Sequence, residues 1–410
     1  MEQQDQQQDS KLSTWVNQRF PLAKVWREHL SEYYAPKNFN FWYFFGSLAL
    51  LMFVLQIVTG IWLTMFYTPS EKDAFASVEY IMRDVNYGWL IRYLHSTGAS
   101  AFFIVIYLHM FRSLLYGSHK KPRELLWLFG MLLFALLLAE AFFGYLLPWG
   151  QMSYWGAQVI TSLFSAIPYI GDTLVLWLRG DYYVANATLN RFFSLHVIAI
   201  PLLMVILVWL HLVALHHVGS NNPSGIDIKK NLNASGKPVD GIPFHPYYTV
   251  KDLVGVVVFL IAFCTIVFFY PTLGGYFLEA DNFVPANPLV TPDHIAPVWY
   301  MTPFYSILRA VPDKLMGVIA MAGSIAFLFV LPWLDRSRVR SMRYRGIWSK
   351  IALALFVVCF IALGYLGTVA VTPFRQMLAQ IFTIIYFAFF ILMPVYTRFE
   401  KTKPLPTRVS

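Results

Sequence analysis

The sequence predicts an all-α membrane protein with eight transmembrane helices, and two features of its composition indicate this class. Hydrophobic residues make up 58% of the 410 residues. Charged residues make up only 13%, roughly half of their share in an ordinary soluble protein. Because a soluble fold has too few polar groups here to cover its apolar surface, we expect that surface to lie in lipid.

Long apolar runs bounded by charged residues or proline predict the spans, since about 20 apolar residues cross a bilayer as a helix. The predicted spans are 40–67, 88–116, 124–150, 190–216, 251–270, 315–334, 348–369 and 375–397. We divide the chain into a polar tail and surface segment (1–39), an N-terminal four-helix bundle (40–220) and a C-terminal four-helix half (221–410).

The placement of basic residues predicts the orientation. The termini and the loops after even-numbered spans carry 23 of the 31 Lys and Arg residues, so this face is predicted to be cytoplasmic, with both termini. The same placement accounts for the net charge of +9, which therefore gives no indication of nucleic-acid binding. Two outer loops, 151–189 and 271–314, are long and aromatic, and we expect them to pack beside the bundle at the membrane surface.

Four histidines lie inside predicted spans, where ionisable residues are costly and mark functional sites. The second span holds His95 and His109, and the fourth holds His196 and His211. A separation of 14 residues returns a helix to within about 40° of the same face, about 21 Å further along its axis. Because both spans run from outside to inside, His95 is level with His196, and His109 with His211. The pattern predicts two bis-imidazole sites stacked across the bilayer.

Haem iron best suits two opposed imidazoles between helices. The first and third spans carry glycines at the same 14-residue spacing, and a glycine lets a flat ring approach the backbone. These are Gly46, Gly60, Gly130 and Gly144. Arg92 and Arg112 lie near histidines and are candidate partners for the haem propionates. No C-x-x-C-H sequence is present, so we expect two non-covalently bound haems.

The fourth span has an irregular spacing. Its histidines are 15 residues apart, and in a regular helix this rotates His211 by about 60° from His196. Pro201 lies between them and frees a backbone carbonyl. We therefore expect a bulge or kink there that corrects the phase.

Beyond this pattern, the sequence resembles the cytochrome b family, the membrane core of ubiquinol:cytochrome c oxidoreductases (bc1 complexes), in its undivided bacterial form. The resemblance covers nearly the whole chain, in stretches such as GYLLPWGQMSYWGAQVIT, HHVGSNNPSGI, GIPFHPYYTVKD and ANPLVTPDHIAP. It implies that His95 and His196 bind an outer, low-potential b haem, and that His109 and His211 bind an inner, high-potential one. It also assigns Trp127 to the haem contacts.

The resemblance implies that ubiquinol is oxidised in an outer pocket formed by the two long outer loops. The residues it assigns there are Tyr145, Tyr154, Trp155, Gly156, Pro297, Trp299, Tyr300 and Tyr305. Val298 departs from the family, which usually has at this position the glutamate proposed to accept the quinol proton. Glu140 and Asp293 are candidate replacements, and Glu140 is favoured because a buried carboxyl near the outer haem is otherwise hard to justify.

The resemblance places quinone reduction in an inner pocket with His216, Lys251 and Asp252. A histidine and a carboxylate on opposite sides of a quinone could bond to both carbonyls and deliver protons. Phe44 stands where the family often has Asn, which removes one expected polar contact.

The family passes one quinol electron to an iron–sulfur protein and the other through two haems to the inner quinone, moving protons outward in a Q cycle. The chain has no iron–sulfur or c-haem motif, so a Rieske iron–sulfur protein and cytochrome c1 are expected partners, with quinone, membrane lipid and a second copy of the complex. The expected location is the bacterial inner membrane. Two alternatives stay open, a dihaem subunit of a quinone-linked dehydrogenase and a secondary transporter with a His and Glu proton relay.

Overall fold

The computed structural model describes residues 11–19, 21, 24, 26 and 31–409. Within that part of the chain, eight helices are long and apolar enough to cross a membrane, which confirms the predicted fold class. Their bounds are Phe41–Thr64, Gly88–Tyr116, Glu124–Leu146, Asn186–Val218, Phe244–Phe269, Lys314–Leu334, Ile347–Thr368 and Pro373–Ile391, here called the first to eighth spans. Residues 1–10 of the predicted polar tail lie outside the described residues.

Prolines end two spans earlier than the apolar pattern predicts. The third span ends at Leu146 rather than at residue 150, because Pro148 has no backbone N–H to continue the helix. The eighth span ends at Ile391, and Pro394 lies in the first turn of a separate short helix, Met393–Phe399. Apolar residues on both sides of these prolines hide the break from a hydropathy reading.

The spans pack as neighbours in a bundle. The first span packs against the second and the third against the fourth, while the fifth lies against the first two. The sixth contacts the third, and the seventh packs on the eighth. Apolar side chains such as Val258 and Ile261 on the fifth span stay more than 60% exposed, as expected for a surface that faces lipid.

The two long outer loops are structured. They contain the helices Gln151–Ser162, Gly171–Arg179 and Thr302–Ala310. The loops are joined by an antiparallel bridge beside Gly150, where Gln151 donates its backbone N–H to Val284 at 2.9 Å and Ala286 donates to Trp149 at 2.9 Å. Main-chain hydrogen bonds therefore hold the two loops in register.

At the other end of the bundle, two short strands join the N-terminal segment to the loop before the fifth span. Strand β1 (Tyr34–Pro36) pairs antiparallel with β2 (Gly241–Pro243). Beside them lies the side chain of Asp240, which is only 2% exposed. Its carboxylate forms an ion pair of 2.8 Å with Lys37 and accepts two hydrogen bonds of 2.9 Å from Arg408. The backbone N–H of Val409 adds a bond of 3.1 Å. Asp240 therefore anchors both terminal segments.

A second buried carboxylate ties the bundle together at the same end. Asp335 lies 2.8 Å from His119 Nε2, 2.9 Å from Lys120 Nζ and 2.5 Å from Arg345 Nη2. His119 and Lys120 follow the second span, whereas Asp335 and Arg345 follow the sixth. The cluster thus links the N-terminal and C-terminal halves, and within the described residues His119 has a structural rather than a ligand-binding environment.

Candidate functional site

The four histidines form two facing pairs, as the spacing predicts. The ring centres of His95 and His196 lie 6.1 Å apart, and those of His109 and His211 lie 6.4 Å apart. A metal–imidazole bond of about 2.0 Å on each side would put two opposed ring centres about 6 Å apart. Within the described residues no cluster of three or more His, Cys, Asp or Glu side chains could hold a metal ion. The pairs therefore suit an iron whose remaining ligands come from a macrocycle.

The irregularity predicted near Pro201 is present, and it begins at the outer histidine. Residues Leu195–Ala199 form a π-helical turn, in which the backbone N–H of Ile200 bonds to the carbonyl of Leu195. A π turn takes one more residue than an α turn, so it absorbs the fifteenth residue between His196 and His211. The two rings thereby face the second span together.

Each of the four predicted glycines faces one histidine. A Cβ on Gly144 would overlap the His196 ring, and a Cβ on Gly60 would lie 3.1 Å from Cε1 of His95. At the inner pair, the distances to Cε1 are 3.3 Å from Gly130 to His211 and 3.5 Å from Gly46 to His109. The glycines of the first and third spans therefore let each histidine ring approach the backbone closely, which fits a cofactor held by both rings within the four-helix bundle.

Hydrogen bonds fix the tautomers of the outer pair. The hydroxyl of Thr59 donates to the carbonyl of Leu55 at 2.6 Å, so it accepts at 2.9 Å from Nδ1 of His95. Nδ1 of His196 donates to the backbone carbonyl of Glu140 at 2.9 Å. Both rings thus carry their proton on Nδ1 and leave Nε2 unprotonated and available to a metal.

The predicted arginines and Trp127 have different surroundings. Arg92 lines the cavity that contains the outer pair. Arg112 lies beside the Tyr116 ring, and its buried Nε has no partner among the described residues, as expected of a group that awaits an anion. Trp127 donates from Nε1 to the carbonyl of Leu328 at 2.8 Å, so in this structure it joins the third span to the sixth.

One cavity of about 360 Å³ contains the outer histidine pair and also reaches the second outer loop. Its walls include Glu140, Tyr145, Val298 and Tyr300 together with Phe277 and Leu278. Tyr300 is buried, stacks on Phe103 at 3.8 Å and accepts at its carbonyl a 2.5 Å hydrogen bond from Tyr107. The outer histidine pair and two residues predicted for the quinol pocket, Tyr145 and Tyr300, therefore line one space.

The other residues predicted for the outer pocket do not line this cavity, although two of them contact residues that do. Gly156 lies next to Tyr145, and a Cβ there would be 3.8 Å from the tyrosine ring, an ordinary contact. Trp299 donates to the hydroxyl of Ser100 at 3.0 Å, and Tyr305 donates to the carbonyl of Ile295 at 3.3 Å. Pro297 is partly buried beside Val298. Tyr154 is buried and stands edge-on to the Trp155 ring.

An acid that sequence reasoning missed is hydrogen-bonded to a residue of this cavity's wall. Glu279, in the second outer loop, accepts a 2.9 Å hydrogen bond from the hydroxyl of Tyr145 and one of 3.2 Å from the amide of Asn282. Burial raises the pKa of the Glu279 carboxyl. The available signal was a lone acid in the apolar run GGYFLE, but the sequence gives no indication that this run meets the third span.

The two acids that the sequence nominated are placed differently. Glu140 directs a carboxyl oxygen at Nδ1 of His196, at 3.1 Å. Asp293 is exposed to solvent. Of the three acids, Glu279 is the one hydrogen-bonded to a residue predicted for the quinol pocket.

The predicted inner-site residues cluster near the start of the fifth span. Asp252 accepts a hydrogen bond of 3.1 Å from the hydroxyl of Ser47. His216 packs its ring against Tyr33 at 4.8 Å and donates from Nδ1 to the carbonyl of Leu212 at 2.8 Å. Lys251 lies 4.5 Å from the ring centre of Tyr247, in a cation–π contact.

Comparison with known proteins identifies the family. Residues 30–219 match the family model described as cytochrome b/b6/petB, and residues 285–387 match the one described as cytochrome b(C-terminal)/b6/petD. The chain is 62% identical to a cytochrome b of Allochromatium vinosum, over 97% of this chain and 98% of that one. It is 53% identical to a cytochrome b of Rhodospirillum rubrum, over 98% and 96%.

A solved structure is similar throughout. The chain matches one titled hyperthermophilic respiratory Complex III with a TM-score of 0.87 and 40% identity, covering 94% of this chain and 98% of the other. Family membership brings haem binding and electron transport, and the eight spans fit an integral membrane protein. The chain, with its facing histidine pairs and full-length matches, belongs to the cytochrome b family of respiratory complex III.

Proposed function

We propose that the chain is the dihaem cytochrome b subunit of a ubiquinol:cytochrome c oxidoreductase. It oxidises ubiquinol at an outer site and reduces quinone at an inner site, and it contributes to proton translocation through a Q cycle. The observation that carries the proposal is the repeated arrangement of a histidine pair between two glycines, at two depths of one four-helix bundle.

His95 and His196 would hold the outer haem, and His109 and His211 the inner one. Each bound haem would supply reversible one-electron chemistry. The glycines would give the histidines and the haem rings room, Arg92 and Arg112 would offer positive charge to the propionates, and Trp127 would contribute to the haem contacts. Two such sites about 21 Å apart along the spans give an electron path across most of a bilayer about 30 Å thick.

At the outer site, we propose that Glu279 takes the quinol proton in place of the missing acid at position 298. Its support is the 2.9 Å contact with Tyr145 at the wall of the cavity and the burial that raises its pKa, since an acceptor works best when its pKa is near the operating pH. Tyr145 relays the quinol proton or orients the Glu279 carboxyl. The pocket is shaped by Gly156, Pro297, Trp299, Tyr300 and Tyr305. Glu140 and Asp293 remain the alternatives for this role.

At the inner site, Asp252 would donate a proton to a quinone carbonyl, and the Ser47 hydroxyl holds its carboxylate in place. His216 would contact the opposite carbonyl. Lys251, next to Asp252, adds positive charge where reduced quinone accumulates negative charge.

The remaining assignments follow from the same proposal. A Rieske iron–sulfur protein and cytochrome c1 would accept the electron that leaves at the outer side, because the chain has no motif for either centre. The complex would sit in the bacterial inner membrane as a homodimer, with both termini of this subunit cytoplasmic. Residues 40–220 would form the dihaem bundle, and residues 221–410 the half that completes the quinone sites.

An optical spectrum of the purified complex tests the proposal. We expect b-type absorption from two haems after dithionite reduction, with His196→Leu losing the outer component and His211→Leu the inner one. Separate inhibitors of quinol oxidation and of quinone reduction should each block one half of the reaction. A protein without b-type bands would contradict the proposal and favour a transporter, whereas haems with a single quinone site would favour a dehydrogenase subunit.

A further inference from the structure

Glu140 lies inside the third span, and the proton path proposed above does not use it. Its carboxyl Oε1 lies 3.1 Å from Nδ1 of His196, and its own backbone carbonyl lies 2.9 Å from the same nitrogen. One imidazole N–H thus faces two oxygens of a single residue. The other carboxyl oxygen, Oε2, is buried and has no hydrogen-bond partner among the described residues.

The inner pair lacks both of these contacts. Residue 126 precedes residue 140 by 14 positions, as Gly130 precedes Gly144, and the side chain at this position is Leu126. Nδ1 of His211 is buried and has no hydrogen-bond partner among the described residues. The two oxygens that face the N–H of His196 are therefore specific to the outer site.

We infer that Glu140 is a positioning residue that lowers the reduction potential of the outer haem through His196. The carboxyl oxygen attracts the ring N–H, which orients the ring and increases the electron density on Nε2. Nε2 is then a stronger donor to iron, and a stronger donor favours the ferric state. This inference rests on the proposed function in one respect, namely that His95 and His196 hold a haem. It assigns Glu140 a role apart from quinol deprotonation.

The test is a potentiometric titration of both b haems in the intact complex, with Glu140→Leu as the main variant. This change gives the outer site the residue found at the inner one. We expect the ferrous-to-ferric ratio of the outer haem at a fixed potential to rise about tenfold. Loss of a hydrogen-bond partner to a metal ligand changes the properties of a metal site by about tenfold or more, and we take the low end of that range. For one electron, a tenfold change in this ratio is a rise of about 59 mV in the reduction potential. The inner haem should not move.

Two further variants keep the inference falsifiable. Glu140→Gln retains the shape and should shift the outer haem in the same direction by less. Leu126→Glu places a carboxyl beside His211 and should lower the potential of the inner haem alone. An unchanged outer potential in both Glu140 variants, or equal shifts of the two haems, would overturn the inference. Absence of b haems from the unaltered complex would instead refute the proposed function.

Discussion

The hydroxyl of Tyr145 lies 2.9 Å from Oε2 of Glu279, which brings together two residues that are 134 positions apart in the chain. Tyr145 is the penultimate residue of the third span, and Glu279 lies in the first part of the second outer loop. Their contact puts a partly buried acid next to Tyr145, which lines the outer cavity, whereas position 298 carries Val. This contact is why we propose Glu279 as the proton acceptor.

Replacing the acid tests this role. We expect Glu279→Gln to slow quinol oxidation by about 10²-fold, the lower range for loss of a general base, while both haem spectra remain. The rate would be measured with purified complex, quinol and cytochrome c. Asp281→Asn, an exposed acid two residues away whose charge helps to raise the pKa of Glu279, is the matched control and should keep the normal rate at a pH above that pKa. A normal rate in Glu279→Gln would exclude this acceptor.

The raised pKa of Glu279 predicts a pH dependence. Burial favours the protonated acid, so the carboxylate that accepts a proton forms at a higher pH than for an exposed glutamate. The rate of quinol oxidation should therefore rise with pH through this pKa and fall below it. The pH profile of the Glu279→Gln variant should lack that acidic limb. If the limb persists, another group is responsible for it.

The glycines predict a graded response to alanine. Gly144→Ala should abolish binding of the outer haem, because the added methyl would overlap the His196 ring. Gly46→Ala should retain the inner haem, because its methyl would lie 3.5 Å from His109, an ordinary contact. The haem content of each variant, resolved by its reduced-minus-oxidised spectrum, measures the difference. Equal losses would show that the glycines serve helix packing generally.

At the inner site, Asp252→Asn should slow re-oxidation of the inner haem by quinone, because the amide cannot deliver a proton. The measurement is stopped-flow spectroscopy with the outer site inhibited. Ser47→Ala should have a smaller effect, since it removes one 3.1 Å hydrogen bond and leaves the carboxylate. Unchanged re-oxidation in Asp252→Asn would remove Asp252 from the proton path.

Asp240 predicts a pH-dependent stability. Hydrogen bonds from Arg408 hold the pKa of this carboxyl below its usual range. A depressed acid pKa stabilises the folded state above the unfolded-state value of about 3.9 and loses that contribution as the pH falls through the folded value. Asp240→Asn should therefore lower the unfolding temperature by a few degrees at pH 7. The deficit should shrink only in strong acid, and a deficit independent of pH would contradict the mechanism.

Hydropathy was enough to predict the eight spans, because a span is a long apolar run within one helix. Residue spacing was enough to predict the pairing of the histidines, because it fixes their depth and face on each of two helices. The correction near Pro201 was predictable for the same reason, although its form as a π turn at Leu195–Ala199 was not. Glu279 and its contact with Tyr145 could not be predicted, since they depend on how two irregular loops meet. Val298 marked a missing acid, but only the folded chain shows that Glu279 contacts Tyr145, on which its proposal as a replacement rests.

The main-chain bridge beside Gly150 has a consequence for how such pockets evolve. Because the Gln151–Val284 and Ala286–Trp149 hydrogen bonds join main-chain atoms, they align the two walls whatever side chains stand at positions 279 and 298, so an acid can be lost from one position and gained at the other while these bonds remain. Selection can then act on proton chemistry separately from architecture. When main-chain hydrogen bonds align a pocket, the residue that accepts the proton can differ in position between related proteins while the surrounding fold stays the same.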